Sequence, residues 1–391
     1  MTLEEFLIEW NKSCPQLLVH TSGSTGKPKP IWVSKQKMLN SARITCNFLG
    51  LQPGDSALLC MNLDYIAGKM MVVRSIERNL KLLEVSPSGH PLRTLLEGGG
   101  TLWETPAPSR AMSTATGEES CIPERGNFPF TRRNQLLPSA LHKVAYPPSW
   151  KKSLPAPIFA AMVPLQVYNS LQIPQEASLL RRVKHLIIGG GSIDEALEQQ
   201  LIHFPNAVWS TYGMTETLSH IALRRLNGPE ASEWYTPFES VEVSRNADGC
   251  LVVNAPLVHE GPLVTHDRVE FRPMPSDTRN GRVQFKILGR QDNVINSGGI
   301  KIQMEEVEKT LKSVLHSPYL ITKRPDEKFG EVVVLLTEAS DLSLVKVCCE
   351  KILPRYWEPR LYLHVDHIPL TGTGKPARAE AEKIALREKD R

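Results

Sequence analysis

The chain has 391 residues, 41% of them hydrophobic and 23% charged, and its 46 Lys and Arg against 42 Asp and Glu leave a net charge of +4. This composition is that of an ordinary globular protein and excludes a collagen, a long coiled coil and a wholly disordered chain. The small charge does not favour binding to nucleic acid or to an anionic membrane surface.

The cysteines and the apolar runs indicate a cytoplasmic protein. Seven cysteines are scattered without a CxxC pair, a pattern typical of reduced thiols rather than of a disulfide framework. The acidic N-terminal segment lacks the charged and apolar regions of a signal peptide. No apolar run approaches the roughly 18 residues of a transmembrane helix, so no membrane span is expected.

The first 95 residues alternate between helix-like and strand-like patterns. Leu3, Phe6, Leu7 and Trp10 share one face of a short amphipathic helix. Polar starts, apolar spacing and Gly or Pro stops mark the elements that follow. They predict helices over 34–51 and 66–80, and strands over 56–61 and 81–85.

Residues 98–155 differ from the rest of the chain. They contain Gly98–Gly100, five prolines between Pro106 and Pro138, and few aliphatic runs. This composition predicts an irregular loop, with a helix near 135–144 as the alternative.

Strand–turn–helix repeats resume at residue 157 and predict a buried parallel sheet. They predict strands over 158–163, 183–188 and 207–211, a glycine turn at 189–191 and a helix over 193–203. Residues 240–290 are rich in strand patterns around an Asp248–Gly249 hairpin turn.

Beyond Gly289 the pattern becomes a smaller α+β arrangement, with helices predicted over 304–315 and 342–352 and strands over 331–337 and 361–367. We therefore predict an α/β protein with two domains. A large N-terminal α/β domain over 1–290 contains the parallel sheet and a β-rich subdomain. A small α+β domain covers 291–391.

A glycine-rich stretch reads HTSGSTGKPK over residues 20–29. Its glycines permit backbone conformations that other residues resist, and its N–H groups and hydroxyls can surround phosphate oxygens. The glycines are three apart and Pro28 follows Lys27, so the stretch is not a Walker A loop. Its strand-like flanks favour a phosphate-binding loop over a flexible linker.

A second motif, STYGMTET over 210–217, comes directly after a strand. Tyr212 is suited to stacking on a purine, and Glu216 is a hard oxygen ligand suited to Mg²⁺ on phosphates. Taken alone, the motif is equally compatible with an ordinary turn at the end of a strand.

Two further motifs are LGRQDNVINSGGIKI over 288–302 and PLTGTGKPAR over 369–378. The first places Arg290 and Asp292 before the C-terminal domain, and the second presents Lys375 between glycines and a proline. Taken alone, the first is compatible with an interdomain turn and the second with a solvated surface lysine.

Together and in this order, the four motifs resemble the adenylate-forming superfamily, which includes acyl-CoA synthetases, luciferases and peptide-synthetase adenylation domains. The resemblance covers residues 18–378. It implies a large N-terminal α/β domain and a mobile C-terminal lid. It also implies a two-step reaction with ATP, Mg²⁺ and CoA, in which a carboxylate attacks the α-phosphate and a thiol then displaces AMP.

The resemblance implies roles for individual residues around ATP. The loop for the β- and γ-phosphates comprises Thr21, Ser22, Gly23, Ser24, Thr25, Gly26 and Lys27. Thr215 contacts the α-phosphate and Glu216 holds Mg²⁺. The adenine and ribose contacts are Gly189, Gly190, Gly191, Tyr212, Gly213, Asp267 and Arg290.

The remaining roles concern the lid. Lys375 bridges the carboxylate and the α-phosphate in the first step, Asp292 is the hinge, and Gly298 and Gly299 border the entry of pantetheine. The family usually has Gly where His266 stands, a modest departure.

Two segments narrow the substrate by resemblance. NLDYIAGKMM over 62–71 and GMTETLSHIALR over 213–224 are similar to bacterial o-succinylbenzoate–CoA ligases of menaquinone synthesis. The acid has two carboxylates, so one reacts and the other needs a partner. The candidates are Lys69, Ser219 and His220, because a buried charge or polar group needs a partner.

Other interpretations stay open. The phosphate loop begins unusually early, which we interpret as absence of part of the usual N-terminal region. A ligase for another aryl or short acid would act on monocarboxylates, and a degenerate adenylate-binding module would have no activity. The expected partners are a small carboxylic acid, ATP and CoA, without nucleic acid, and a homodimer is a candidate oligomeric state.

Overall fold

A computed structural model describes residues 1–20, 30–105, 141–145, 156–191, 193–274, 281–371 and 375–387. The chain divides into two compact units. The first unit holds the described residues between Met1 and Glu233 together with Leu257–His259, and the second holds Trp234–Pro256 and the described residues from Glu260 onward. The sequence predicts a boundary at residue 290 between the N-terminal domain and a mobile lid, and this boundary stays a prediction.

The first unit begins with helix α1, Leu3–Asn11. Thr2 and Glu5 form a capping box at its start, which satisfies two backbone N–H groups that the helix cannot pair internally. The four apolar residues predicted to share one face are all buried. Strands β1, Gln16–His20, and β2, Pro30–Ser34, then pair antiparallel.

A large sheet forms the centre of the first unit. In chain order, its strands are β3 Ser56–Leu59, β4 Lys81–Glu84, β5 Thr101–Glu104, β6 His142–Val144, β7 Phe159–Met162, β8 His185–Ile188, β9 Ala207–Gly213 and β10 His220–Arg225. Across the sheet, they are arranged in the order β10-β9-β8-β7-β3-β4-β5-β6. The neighbours from β9 to β4 are parallel. Both faces of these strands are largely buried, as the apolar runs predict. The α/β prediction is confirmed.

The helices of the first unit connect these strands. They are α2 Lys35–Phe48, α3 Ile66–Arg78, α4 Pro91–Leu96, α5 Pro164–Leu171, α6 Pro174–Arg182 and α7 Glu195–Leu201. Ser34 caps α2 through its hydroxyl and Asp194 caps α7 through its carboxylate. Proline stands in the first turn of α4, α5 and α6, where its missing N–H costs no hydrogen bond.

The expectation of an irregular loop over 98–155 is wrong at its described ends. Thr101–Glu104 pairs antiparallel with β4, and His142–Val144 pairs with Thr101–Glu104, so the alternative of a helix near 135–144 is also wrong for 142–144. Both strands are short and gain their order from neighbours in the sheet rather than from local sequence. Residues 106–140 and 146–155 lie outside the described residues.

The second unit contains two sheets. The first has the order β12-β13-β14-β15 and is antiparallel, with strands Glu242–Arg245, Cys250–Asn254, Leu263–Pro273 and Val283–Arg290; a short strand β11, Thr236–Pro237, precedes them. The Asp248–Gly249 turn joins β12 to β13, with Gly249 at φ 83°. The predicted β-rich subdomain is confirmed.

The second sheet of this unit follows a single 3-10 turn, Gln291–Asn293. Its strands are β16 Val294–Ser297, β17 Ile300–Gln303, β18 Tyr319–Asp326, β19 Gly330–Thr337 and β20 Leu361–His364, and the helices are α8 Met304–Leu311, α9 Leu342–Ile352 and α10 Arg378–Arg387. One apolar cluster includes residues of α8 and α9, and a second, separate cluster includes residues of α10. The α+β character predicted for this region is confirmed. Within the described part of the chain, no helix is long and apolar enough to cross a membrane.

Candidate active site

The phosphate-binding loop predicted over Thr21–Lys27 lies outside the described residues. Its surroundings are described: β1 ends at His20, which pairs with Pro30 at the start of β2. The two ends of the stretch are therefore held side by side.

The carboxyl ends of β8 and β9 bring two predicted motifs to one edge of the parallel sheet. Gly189–Gly191 follows β8, and Tyr212 and Gly213 end β9. A Cβ on Gly189 would overlap the Thr211 hydroxyl of the neighbouring strand, and Gly190 has φ 81°. Ligands of open α/β sheets bind at this edge, so the structure places these residues where the sequence predicts a nucleotide.

The turn after β9 is built around Gly213. A Cβ there would overlap the backbone of Ser219 and His220. The Thr217 oxygen accepts a hydrogen bond from the Met214 N–H at 3.0 Å, and its hydroxyl lies 2.7 Å from the Ser219 carbonyl oxygen. This closed turn fixes Thr215, which is buried, and Glu216, which is half-buried.

Gly213→Ala should disturb this turn more than any other described glycine of the edge. The added methyl group meets backbone that cannot move away, and overpacking of this kind costs about 1–3 kcal/mol. We expect a lower unfolding temperature and a loss of adenylate formation, measured by thermal unfolding and by ATP–pyrophosphate exchange.

Gly191→Ala is the matched control for stability, because the nearest heavy atom to its added Cβ would lie at an ordinary 3.6 Å. Equal unfolding temperatures for the two variants would contradict the close approach at Gly213.

A buried guanidinium lies beside the Thr215–Glu216 turn. Arg74, on α3, is 2% exposed, and its Nη2 donates to the Ser219 hydroxyl at 2.6 Å. Burial lowers the pKa of Arg74 to about 10, so the group remains a cation at neutral pH. Its Nε is buried without a hydrogen-bond partner, and Arg74 forms no ion pair with the described carboxylates.

A buried, unpaired guanidinium is costly in a folded protein unless an anion completes it. Arg74 is therefore a candidate for binding an anion. The sequence reasoning missed it, although a signal was present: Arg74 interrupts the same apolar helix that drew attention to Lys69, five residues earlier.

Ser219 and His220, both predicted to contact substrate, lie in this network. The Ser219 hydroxyl is 3.2 Å from His220 Nδ1, and His220 Nε2 is 3.0 Å from the Thr45 hydroxyl on α2. Burial, assisted by the positive charge of Arg74, lowers the pKa of His220 well below its ordinary value. The imidazole is therefore neutral under ordinary conditions.

Lys69 takes a different position. Its ammonium donates to the Leu63 carbonyl in the loop before α3, and the side chain does not reach the surface, because the residue is 2% exposed. Burial lowers its pKa, with the Asp64 carboxylate opposing the shift. Its contact with substrate stays a prediction.

The second unit holds a chain of charged groups where Arg290, the last residue of β15, pairs with Asp267 near the middle of β14. Arg290 Nη1 donates to Asp267 at 3.2 Å, and Arg290 Nη2 donates to Asp292 at 3.0 Å. His266 Nδ1 lies 2.7 Å from the other Asp292 oxygen, so the residue that departs from the family pattern contacts the predicted hinge. Burial alone would raise the pKa of Asp292, but hydrogen bonds from His266 and Arg290 outweigh it and lower the pKa.

Lys375 belongs to the same charged group. Burial and the charge of Arg290 lower the pKa of Lys375, while Asp267 opposes the shift. Its loop is closed by the Thr371 N–H, which donates to the Lys375 carbonyl at 2.7 Å. Arg378, at the base of the loop, binds both oxygens of Glu308 on α8 at 2.7 and 2.8 Å. Lys375 thus lies close enough to Asp267 and Arg290 for their charges to act on its pKa, although more than 80 residues separate Lys375 from Arg290.

As the pH rises, adenylate formation should be lost at a lower pH than the pKa of an ordinary lysine would give. The ammonium of Lys375 is present below its lowered pKa and is lost as the pH rises through it. Asp267→Asn should move this alkaline loss to lower pH, and Arg290→Gln should move it to higher pH, because their charges act on Lys375 in opposite senses. The check is the pH profile of the rate of adenylate formation at saturating ATP and acid, and profiles that coincide for all three proteins would contradict it.

The remaining predicted residues are the glycine pair proposed for the entry of pantetheine and the proposed magnesium ligand. Gly298 and Gly299 join β16 to β17 with φ 56° and 84°, and the Gly298 N–H donates to the Phe329 carbonyl at 2.8 Å. No cluster of three His, Cys, Asp or Glu side chains that could hold a metal occurs among the described residues. A single half-buried carboxylate such as Glu216 fits Mg²⁺, which usually takes one or two carboxylates and completes its shell with substrate phosphates and water.

Comparison with known proteins supports the same fold. No protein-family model matches the chain. A curated 2-succinylbenzoate–CoA ligase of Listeria monocytogenes is 22% identical over 95% of this chain and 70% of the relative. The enzyme of the same name from Salmonella typhimurium is 25% identical over 92% of this chain and 66% of the relative. The chain therefore spans about two thirds of the length of the curated relatives it matches.

Solved structures extend this similarity. An acyl-CoA synthetase (AMP-forming)/AMP-acid ligase II-like protein from Dyadobacter fermentans is 28% identical, with a TM-score of 0.53, over 98% of this chain and 92% of that one. The o-succinylbenzoate–CoA synthetase MenE of Bacillus subtilis is 19% identical, with a TM-score of 0.63, over 93% of this chain and 69% of that one. The resemblance inferred from the four motifs is thus confirmed, and the chain has the fold of the AMP-forming acyl-CoA synthetases.

Proposed function

We propose that this protein is an ATP-dependent acid–CoA ligase that works through an acyl-adenylate, and that its acid is o-succinylbenzoate. The observation that carries the choice of acid is the buried, unpaired guanidinium of Arg74. The relatives named 2-succinylbenzoate–CoA ligase and the Bacillus subtilis structure in complex with ATP and magnesium ion support the reaction class.

The first step brings a carboxylate to a polyanion, so positive charge and hydrogen-bond donors must neutralise the phosphate oxygens. We assign this role to the loop over Thr21–Lys27, to Thr215 and to Lys375. Lys375 is half-buried, so water screens the attraction between its ammonium and developing negative charge less than at an open surface.

Asp267 accepts hydrogen bonds from the ribose hydroxyls, and Arg290 orients this carboxylate through its 3.2 Å hydrogen bond. Tyr212 and Gly189–Gly191 form the adenine side at the sheet edge. Glu216 would hold Mg²⁺, which supplies further neutralisation of phosphate charge when it is bound.

In the second step a thiol replaces AMP. We propose that residues 291–391 turn about Asp292 so that Lys375 leaves the reacting groups, and that pantetheine passes Gly298 and Gly299. The positive φ angles of both glycines let the backbone approach a ligand without side chains in the way.

Arg74 suits an acid with a second carboxylate. An o-succinylbenzoate molecule has one carboxylate to activate and another that would otherwise be buried without a counterion. A guanidinium that the protein leaves unpaired fits this carboxylate, because charge-assisted hydrogen bonds to a planar anion are among the strongest available. A simple benzoate offers no such group.

The test is mass-spectrometric detection of products from ATP, Mg²⁺, CoA and a panel of acids that includes o-succinylbenzoate and benzoate. We expect o-succinylbenzoyl-CoA and AMP, with little product from benzoate. If another acid gives the most product, the reaction class stands and the acid is wrong. If no acid gives an adenylate or AMP, the ligase proposal is wrong and a binding module without activity takes its place. Cytoplasmic location and a homodimer stay predictions.

A further inference from the structure

Four polar side chains in the first unit form one chain of hydrogen bonds whose direction can be assigned. Thr45 donates its hydroxyl hydrogen to the Ser41 carbonyl one turn earlier in α2, at 3.2 Å. A hydroxyl has one hydrogen, so towards His220 Nε2, 3.0 Å away, the Thr45 oxygen acts as an acceptor. His220 therefore carries its hydrogen on Nε2.

The other end of the chain agrees with this tautomer. A neutral imidazole with its hydrogen on Nε2 has a lone pair on Nδ1, which accepts from the Ser219 hydroxyl at 3.2 Å. The Ser219 oxygen is then free to accept from Arg74 Nη2 at 2.6 Å. Every link is consistent with a neutral His220, and burial with the charge of Arg74 lowers its pKa in the direction that keeps it neutral.

We propose that His220 is a positioning residue that selects the acid by fixing Arg74 through Ser219, rather than by touching the acid itself. This inference rests on the proposed function and adds to it the group that determines specificity. His220 is buried and both its ring nitrogens are engaged within the protein. Ser219 likewise spends its only hydrogen on His220, which leaves Arg74 as the donor for the carboxylate.

The physical consequence is an orientation effect. A guanidinium on a flexible side chain loses several rotamers when it is fixed, and that entropy must be supplied at each binding event if the protein does not fix it beforehand. With His220 in place, the Ser219 lone pair is directed at Arg74. Without it, the Ser219 hydroxyl can rotate and direct its hydrogen towards the guanidinium, which repels it.

Two substitutions separate the two sides of the ring. His220→Asn places an amide oxygen near the position of Nδ1 and can still accept from Ser219. His220→Gln places its amide near Nε2, keeps the side facing Thr45 and leaves Ser219 without an acceptor. We expect KM for o-succinylbenzoate to rise about tenfold in His220→Gln and by less than about threefold in His220→Asn, the scale of one hydrogen bond that acts on a charged group. The kcat should change by less than about twofold in both, because the reacting carboxylate is elsewhere.

Thr45→Val and Thr45→Ser extend the test to the far end of the chain. Valine removes the acceptor for Nε2–H at nearly constant volume, so the tautomer is no longer fixed and KM should rise, whereas serine keeps the oxygen and should behave as the parent. His185→Asn, in β8, is the control for loss of an imidazole from the same sheet, and KM should stay unchanged. Thermal unfolding of each variant shows whether it folds.

A second measurement does not depend on activity. Nitrogen-15 spectra of histidine-labelled protein should show one ring with its hydrogen on Nε2 that does not titrate between about pH 5 and about pH 8, the range of an ordinary histidine, and His220→Asn identifies its signals. The inference is overturned if this ring titrates, if it carries its hydrogen on Nδ1, or if folded His220→Gln retains the parent KM. A parent protein that activates no acid overturns the proposed function instead, and the spectra still decide the tautomer.

Discussion

Lys375→Ala should lower the rate of adenylate formation from ATP and o-succinylbenzoate by about 100- to 1,000-fold, the range seen when one electrostatic contact to a transition state is removed. The residue is half-buried, and the charges of Asp267 and Arg290 act on its ammonium. ATP–pyrophosphate exchange measures this step directly. The second step, measured with synthetic o-succinylbenzoyl-AMP and CoA, should retain most of its rate, because in the proposed mechanism Lys375 has left the reacting groups by then.

Lys383→Ala is the matched control for this experiment. Lys383 lies on α10 and pairs with Glu380 at 3.1 Å on the surface, and its loss should change neither step. A Lys375→Ala protein that forms adenylate at near the parental rate would contradict the central assignment. An equal loss in both steps would instead indicate a general defect in nucleotide binding.

Arg74→Met should lower kcat/KM for o-succinylbenzoate by more than about 100-fold, since a buried ion pair that loses one partner costs about 3–5 kcal/mol. The same substitution should raise the free energy of unfolding without ligand by about 1 kcal/mol, because an apolar side chain replaces an unpaired buried charge. Activity and stability thus move in opposite directions. Benzoate, which has no second carboxylate, should lose little activity.

Arg78→Met provides the control on the same helix. Arg78 donates to the Leu51 carbonyl at 3.0 Å and to Asn47, so its loss should lower stability and leave the choice of acid unchanged. A loss of stability in Arg74→Met together with an unchanged KM for o-succinylbenzoate would show that Arg74 is a structural residue and would remove the main support for this acid.

The fold could largely be predicted from the sequence where a local signal is strong. The predicted helix 342–352 matches α9 in both bounds, and Asp341 caps it through its carboxylate. The helix predicted over 34–51 starts where Ser34 caps α2 but ends three residues earlier, at Phe48, because helix ends depend on how the following turn packs. Thr101–Glu104 and His142–Val144 were not predicted as strands, since strand pairing depends on distant partners.

The candidate site shows the same difference between features with a local sequence signal and contacts between distant residues. The roles of Tyr212, Glu216, Asp267, Arg290 and Lys375 are implied by the resemblance that the ordered motifs carry, and they stay predictions. The hydrogen bond between His266 and Asp292 could not be predicted, since 26 residues separate them along the chain.

The sequence by itself determined the α/β class, the order of the four motifs and the reaction class that they imply, because glycine turns, caps and apolar periodicity act over a few residues. Only the tertiary structure decided which buried cation keeps a donor without a hydrogen-bond partner. Lys69 and Arg74 interrupt the same apolar helix, but the Lys69 ammonium is bound to the Leu63 carbonyl, whereas the Arg74 Nε has no partner. Burial and pairing depend on side chains that α2 and the β9–β10 turn bring from far along the chain, and only the folded arrangement of these elements sets the charge left for a ligand.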